Sequence, residues 1–171
     1  MGNVISMRMR RNIEIQGFLG LDDIEVAQLN YWLRLSPAIC ALWTAVGVFY
    51  ASPTVLAALA PFALLGGILN GHPFDVIYNY GLRFVAGGPR IPAYGAPRKF
   101  GCRAASVVLT LAAVSFYVGI APVGYALGGL MVALAGVNVL TGFCVPSYTY
   151  RKLFGSKSLS VNTAAPSVET S

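Results

Sequence analysis

The chain has 171 residues, of which 56% are hydrophobic and 11% are charged, and its mean hydropathy is +0.66. Soluble domains usually carry about 25% charged residues, so this composition argues against a soluble domain and predicts a single integral membrane domain. In a soluble protein the net charge of +6 would suggest a nucleic-acid partner. Here the basic residues lie between apolar segments, so we expect membrane lipids and no nucleic acid as partners.

The N-terminal residues include basic side chains but lack the apolar core and cleavage site of a secretory signal. We therefore expect residues 1–20 to form a cytoplasmic arm. The opening "MGNVIS" fits the N-myristoylation pattern through Gly2 and Ser6, and an ordinary N-terminus is the alternative. Asp22 followed by Glu25 predicts a capping box at the start of a helix.

Long apolar stretches follow this arm, the second of them short and interrupted by Pro61. A helix crosses about 30 Å of hydrocarbon with about 20 residues, and in lipid its backbone hydrogen bonds must be internal. The sequence therefore predicts an all-α membrane protein with four transmembrane helices. They cover about residues 33–51, 54–69, 104–121 and 123–144.

The charges predict how the chain is threaded. The links between the first two and the last two stretches are short and uncharged, which predicts two tight hairpins. Because basic segments stay on the cytoplasmic side, we expect the connection 70–103 and both termini to face the cytoplasm, with the protein in the inner (cytoplasmic) membrane. The predicted organisation is an arm at 1–20, a four-helix transmembrane domain at 21–155 and a polar, disordered cytoplasmic tail at 156–171.

The connection 70–103 divides into two parts. Residues 73–86, "PFDVIYNYGLRFVA", predict an amphipathic helix at the membrane interface, with Asp75, Asn79 and Arg83 on its polar side. The following "GGPRIPAYGAPRKFGCR" is rich in turn-forming Pro and Gly and predicts a basic loop. Such a loop attracts anionic lipid or a partner, or only fixes the topology. The candidate binding residues are His72, Asp75, Tyr78, Asn79, Arg83, Arg90, Arg98, Lys99 and Arg103.

His72 and Asp75 also suggest acid–base chemistry, because histidine titrates near neutral pH and a carboxylate can orient it. No nucleophile neighbours them in the sequence, and a single histidine does not make a metal-ligand set. We therefore expect no catalytic residue, no metal and no cofactor.

Cys40, Cys102 and Cys144 fall near the cytoplasmic ends of the predicted helices. A reducing compartment disfavours a disulfide, but the shared depth leaves a thiol cluster open beside the alternative of small buried side chains. Asn138 is the main polar residue deep in a predicted helix and suggests an interhelical hydrogen bond. Gly124 and Gly128, four residues apart, predict a close-packing helix face that serves contacts within the bundle or between subunits.

The stretch "GLDDIEVAQLNYWLRL", followed by "GHPFDVIYNYGLRF" and "GAPRKFGCR", resembles the DUF4395 family of small bacterial integral membrane proteins. The resemblance covers about residues 20–150 and depends mainly on the His-Pro-Phe-Asp and Ala-Pro-Arg-Lys-Phe stretches. The ending "TGFCVPSY" is also similar to the Gly-Phe-Cys-Pro ending of small membrane proteins that accompany rhodanese-like domains, with Val145 inserted here. The family implies a helical membrane protein and supplies no catalytic residue.

The expected function is that of a non-catalytic accessory or scaffold subunit of a larger membrane complex. It would bind a membrane-protein partner, a second copy or anionic lipid through its helices and the 70–103 segment. The alternative is a thiol-linked redox or small-molecule membrane factor that uses the cysteines. A transporter is disfavoured because no charged residue lies deep inside a predicted helix.

Overall fold

A computed structural model describes residues 6–154, and every regular element in that range is helical. The predicted disordered tail and the myristoylation pattern at Gly2 lie outside the described residues. The elements are α1 (Met7–Ile15), α2 (Asp23–Trp32), α3 (Leu35–Phe49), α4 (Pro53–Ile68), α5 (Pro73–Ile77), a π-helical turn (Tyr78–Leu82), α6 (Arg83–Ala86), α7 (Ala96–Tyr117), α8 (Ala121–Thr141) and α9 (Val145–Phe154).

Three helices are long and apolar enough to cross a membrane: the run Asp23–Phe49 through α2 and α3, then α7 and α8. A fourth is present if α4 is counted with the helical segment 73–86, which is bent from it by 75°. The 16 residues of α4 span only about 24 Å, less than the hydrocarbon thickness of about 30 Å. The all-α prediction is therefore confirmed for the described residues, and the chain is consistent with a membrane protein of three to four spans.

The four long helices pack in a ring, in which α4 lies against α7, α7 against α8, α8 against α3 and α3 against α4. Their shared core is apolar and contains Leu56 and Leu59 of α4 with Leu109 and Ala112 of α7, each at most 1% exposed. Short links at residues 50–52 and 118–120 close one end of this ring.

The start of α7 corrects the predicted basic loop. The sequence placed Pro97 in a loop that extended to residue 103, but the helix begins at Ala96 with Pro97 in its first turn. The missing N–H of a proline has no helical partner to lose at that position. Arg98, Lys99 and Arg103 are therefore helical residues. Arg98 is also not a surface residue, because it is only 5% exposed.

Residues 7–18 pack onto the bundle, whereas the sequence placed them in a separate arm. The side-chain amides of Asn12 and Gln16 donate to the carbonyls of Thr141 and Gly142, at 3.0 and 2.9 Å. The last carbonyls of a helix have no partner within it, so these amides satisfy groups that would otherwise be open at the end of α8.

Arg34 supports the same end of α8. Its Nη1 donates to the carbonyls of Val139 and Leu140 at 3.0 and 3.3 Å, and its Nη2 donates to Asn30 Oδ1 at 3.1 Å. A cation among the last carbonyls of a helix also complements the helix dipole. The predicted capping box is confirmed, with reciprocal hydrogen bonds between Asp22 and Glu25 at the start of α2.

The predicted helix over 73–86 is present, interrupted by the π-helical turn. Its faces differ from the prediction, because Asp75 points into the protein and is 1% exposed. Tyr80 and Phe84 point outward and are 72% and 71% exposed. Asp75 is turned inward because its hydrogen-bond donors lie there. The location of this helix at a membrane interface stays a prediction.

The small residues of α8 serve the bundle. A side chain at Gly124 would meet the ring of Phe116 at 2.8 Å, and one at Gly128 would overlap Val48 of α3. Gly129, on the next position of the same helix, has no atom within 4 Å of where a Cβ would lie. The close-packing face predicted from Gly124 and Gly128 is therefore confirmed within the chain.

We predict that Gly128→Leu destabilises the protein by about 1–3 kcal/mol, because the added side chain forces α8 away from α3. Gly129→Leu is the matched control and should leave stability nearly unchanged. Thermal unfolding in detergent measures both variants. Equal melting temperatures for the two leucine variants would contradict this packing.

Candidate functional site

A buried carboxylate connects several segments at the end of the bundle that lies opposite the links 50–52 and 118–120. Asp75, in the first turn of α5, accepts hydrogen bonds from the Ser36 hydroxyl and the Tyr94 hydroxyl, one on each oxygen. Ser36 lies at the start of α3, and Tyr94 lies in the loop 87–95 just before α7. A buried carboxylate is costly unless its oxygens are hydrogen-bonded, so Asp75 holds these three segments together.

A buried guanidinium lies beside this carboxylate. Arg98 donates from Nη1 to Gln16 Oε1 at 2.8 Å and from Nη2 to the Leu33 carbonyl at 2.9 Å. It also lies 4.5 Å from the ring centre of Tyr94 and 5.5 Å from that of Phe18, which are cation–π distances. Arg98 thus links α1 and α2 to the first turn of α7.

Tyr94 connects the two buried charges. No direct salt bridge joins Asp75 and Arg98 among the described residues. The hydroxyl of Tyr94 instead donates to the carboxylate while the face of its ring receives the cation. Burial raises the pKa of Tyr94 well above its ordinary value, so the hydroxyl keeps its proton and remains a donor. We call Gln16, Ser36, Asp75, Tyr94 and Arg98 the polar network.

His72 lies next to the network and faces Cys40. Its Nδ1 accepts the backbone N–H of Phe74 at 3.4 Å, and its Nε2 lies 3.8 Å from the Cys40 sulfur. A neutral histidine whose Nδ1 accepts carries its proton on Nε2 and cannot remove the proton of Cys40. Both oxygens of Asp75 are engaged by other donors, so the acid–base pair considered for His72 and Asp75 is not formed.

A cavity of about 160 Å³ opens between α3, α7 and α8 above the polar network. We call it the thiol cavity, because all three cysteines line it and all are free thiols. Its wall is mainly apolar. No group of three potential metal ligands comes together among the described residues. The side chains that define the cavity are Cys40, His72, Cys102, Met131, Asn138 and Cys144.

Asn138 is the open polar group of the thiol cavity. Its side chain is 7% exposed, and in the described part of the chain its amide makes no hydrogen bond, although the sequence suggested one between helices. Buried amides are normally paired, and this one is free to pair with a polar atom of a molecule that enters the cavity.

The other predicted site residues lie apart from the cavity. Tyr78 donates to the Pro89 carbonyl, and Asn79 exchanges two hydrogen bonds with the backbone of Ile91, so both residues fix the loop 87–95. Their predicted binding of lipid or a partner, like that of the surface residues, stays a prediction. Arg83 lies over Phe84, Lys99 donates to Asn70, Arg103 donates to the Gly67 carbonyl, and Arg90 is exposed.

Sequence reasoning found His72, Asp75, Arg98 and the cysteines but missed Gln16, Ser36 and Tyr94. Ser36 and Tyr94 are ordinary polar residues in an apolar context, and Gln16 lies in the segment that was set aside as an arm. A possible signal was the presence of Asp75 itself, because a carboxylate next to apolar spans requires donors.

The fold and the site are those of a small helical protein, consistent with a membrane protein, with a buried charge network and a cavity lined by thiols. The chain belongs to the DUF4395 family, a domain of unknown function, whose model matches residues 30–154. That match includes Ser36, Asp75, Tyr94 and Arg98 of the polar network, while Gln16 precedes it. No curated protein and no solved structure matches the chain.

We predict that Tyr94→Phe lowers the free energy of unfolding by about 1–3 kcal/mol, because it leaves one oxygen of Asp75 buried without a donor. Tyr80→Phe is the matched control, because it also removes one hydroxyl but from a side chain that is 72% exposed, and it should have little effect on stability. Thermal unfolding of both variants in detergent checks this, and an unchanged melting temperature for Tyr94→Phe would show that the network is not stabilising.

Proposed function

We propose that the protein is a membrane factor that binds a small, mainly apolar molecule in the thiol cavity. The observation that carries the proposal is the open amide of Asn138 in a mainly apolar cavity whose other polar side chains, apart from the thiols, have hydrogen-bond partners. Binding sites for small molecules are typically apolar concavities with a few polar groups that fix orientation. The cavity has this composition, with the amide as the orienting group.

The size of the cavity limits the molecule. Apolar cavities of about 150 Å³ bind benzene, so about 160 Å³ suits a compact ligand of similar size or the ring of a larger lipid. Met131 and the cysteine sulfurs are polarisable and favour contact with an aromatic ring. A carbonyl or amino group on that ring would pair with Asn138.

The arrangement supports binding better than turnover. Cys40 is the thiol nearest to a base, yet the His72 nitrogen that faces it already carries a proton in the neutral ring. A thiol-linked redox role is therefore the weaker form of this proposal. It would require the free thiols Cys40, Cys102 and Cys144 to react with each other or with the bound molecule.

We predict that benzamide raises the melting temperature of the purified protein in detergent, because its ring fits the apolar wall and its amide matches Asn138. Ala135 lines the cavity, so Ala135→Phe should fill it and abolish the shift. Ala133 is exposed on the same helix, and Ala133→Phe is the matched control that should retain the shift.

Asn138→Leu separates the two parts of the interaction. This variant should reduce the rise in melting temperature caused by benzamide. The rise caused by benzene, which has no polar group, should be retained or increased. If neither compound stabilises the protein, or if both phenylalanine variants respond alike, the cavity is not the binding site.

A second candidate function is an accessory subunit that docks through the helical segment 73–86. The specific observation is its outward face, where Tyr80, Phe84 and Val85 are 72%, 71% and 87% exposed. Aromatic side chains of this kind suit the membrane interface or a partner helix. Arg83 at 4.9 Å from the Phe84 ring adds a cation to the same face, which suits anionic lipid, a membrane-protein partner or a second copy.

We also propose that the long helices form four spans as two tight hairpins, with both termini and residues 70–103 on the cytoplasmic side of the inner membrane. The support is that the links at 50–52 and 118–120 carry no charge, whereas the opposite end carries the basic residues. Cysteine labelling can test this topology only at exposed positions. Arg98 is unsuitable because it is buried, whereas Arg90 is exposed.

We predict that a membrane-impermeant maleimide labels Val118→Cys in intact bacterial cells, while it labels Arg90→Cys only after the cells are permeabilised. Val118 is 56% exposed and belongs to the short link between α7 and α8. The unmodified chain is the background control, since its own cysteines line the cavity. Labelling of Arg90→Cys in intact cells would reverse the proposed orientation.

A further inference from the structure

A second concave surface lies outside the thiol cavity, between α1 and α9. It is a groove of about 650 Å³, and we call it the basic groove. Four of the side chains that line it are cationic and one is a carboxylate. These charged side chains are Arg10, Arg11, Arg151, Lys152 and Glu14, and Tyr148 lies among them.

The cations of the groove are not neutralised equally. Arg10 is engaged, because it pairs with Asp23 and donates to the Leu21 carbonyl at 3.1 Å. Arg11, Arg151 and Lys152 form no salt bridge within the described residues. The Nε of Arg151 is buried and has no hydrogen-bond partner there, so this guanidinium is not committed to another group of the described chain.

The position of the groove indicates which anion it meets. Asn12 and Gln16 tie α1 to Thr141 and Gly142, the last residues of a helix that is long and apolar enough to span the membrane. Because α9 begins at Val145, both walls of the groove stand at the end of that span. With that helix spanning the membrane, both walls would lie at the depth of the lipid headgroups. Met7, which also lines the groove, is 91% exposed and adds an apolar side chain to it.

We propose that the basic groove binds the phosphate of an anionic phospholipid headgroup. The guanidinium groups of Arg11 and Arg151 donate to the phosphate oxygens, the geometry that arginine provides for phosphate, and Lys152 adds a third positive charge. This site is independent of the thiol cavity. It also differs from the 70–103 segment, where Arg98 is buried and both Lys99 and Arg103 are engaged with Asn70 and Gly67.

The test is lipid binding to the full chain in detergent micelles, with bound lipid counted by native mass spectrometry. The probes are dioleoyl phosphatidylglycerol and dioleoyl phosphatidylcholine. The unmodified protein should prefer the anionic lipid. Arg11→Gln with Arg151→Gln should weaken phosphatidylglycerol binding about 30-fold, since each surface cation contributes about fivefold. Arg8→Gln removes one charge from an exposed position of the same N-terminal helix outside the groove, and it should cause a much smaller loss than Arg11→Gln alone.

Two outcomes would overturn the proposal: equal affinity of the unmodified protein for the two lipids, or equal losses in Arg8→Gln and Arg11→Gln. Displacement of phosphatidylglycerol by millimolar inorganic phosphate would also overturn it, because it would identify a site for the free anion. If Arg151→Gln prevents folding, Arg11→Gln with Lys152→Gln makes the same comparison without the buried Nε. An unchanged melting temperature in phosphatidylcholine shows that a variant is folded.

Discussion

The structure depends on two opposite charges that are buried at one end of an apolar helical bundle. Asp75 and Arg98 are 1% and 5% exposed, and burial of either alone would cost several kcal/mol. Tyr94 makes the arrangement possible, because one side chain gives a hydrogen bond to the carboxylate and a ring face to the guanidinium. The remaining partners come from distant parts of the sequence, since Ser36 lies 39 residues before Asp75 and Gln16 lies 82 residues before Arg98. The charges therefore set the relative positions of α1, α3, α5 and α7.

This requirement also shapes the thiol cavity. Ser36, Tyr94 and Arg98 belong to the polar network and also line the cavity, where hydrogen bonds within the network hold them in place. These three side chains therefore already have hydrogen-bond partners before any molecule enters the cavity. Asn138 lines the cavity from α8, a helix that contributes no side chain to the polar network. The amide of Asn138 therefore remains without a hydrogen-bond partner among the described residues. Hydrogen-bonded surroundings around one open polar group support the proposed binding of a small molecule, because little ordering would be needed on binding.

The parts of the fold that the sequence predicted are those that a single local rule determines. Apolar length predicts the long helices because lipid requires internal hydrogen bonds, and Asp22 with Glu25 predicts the start of α2 because the capping box is local. Arg90 and Arg98 show where such rules fail, since each follows a proline in the stretches "GGPR" and "GAPR". Arg90 is exposed, whereas Arg98 is buried because Gln16 and Leu33 lie within reach of it. Partners 65 and 82 residues away cannot be read from the surrounding sequence, and for the same reason the roles of Ser36 and Tyr94 were not predicted.

The two ends of the bundle consequently have different physical characters. At one end, α3 joins α4 and α7 joins α8 through short, uncharged links, and close packing of Gly124 against Phe116 leaves little space. At the other end are the polar network, the thiol cavity and the basic groove, built from the ends of α4 and α8, the start of α7 and the helices α1 and α9. Buried polar side chains that need hydrogen-bond partners from distant parts of the sequence are concentrated where helices begin and end. Only there are backbone carbonyls and N–H groups free to form such hydrogen bonds. Arg34 on Val139, Gln16 on Gly142 and Arg98 on Leu33 are three instances of that use. The proposed binding sites therefore lie at the same helix ends whose carbonyls help to hold the fold together.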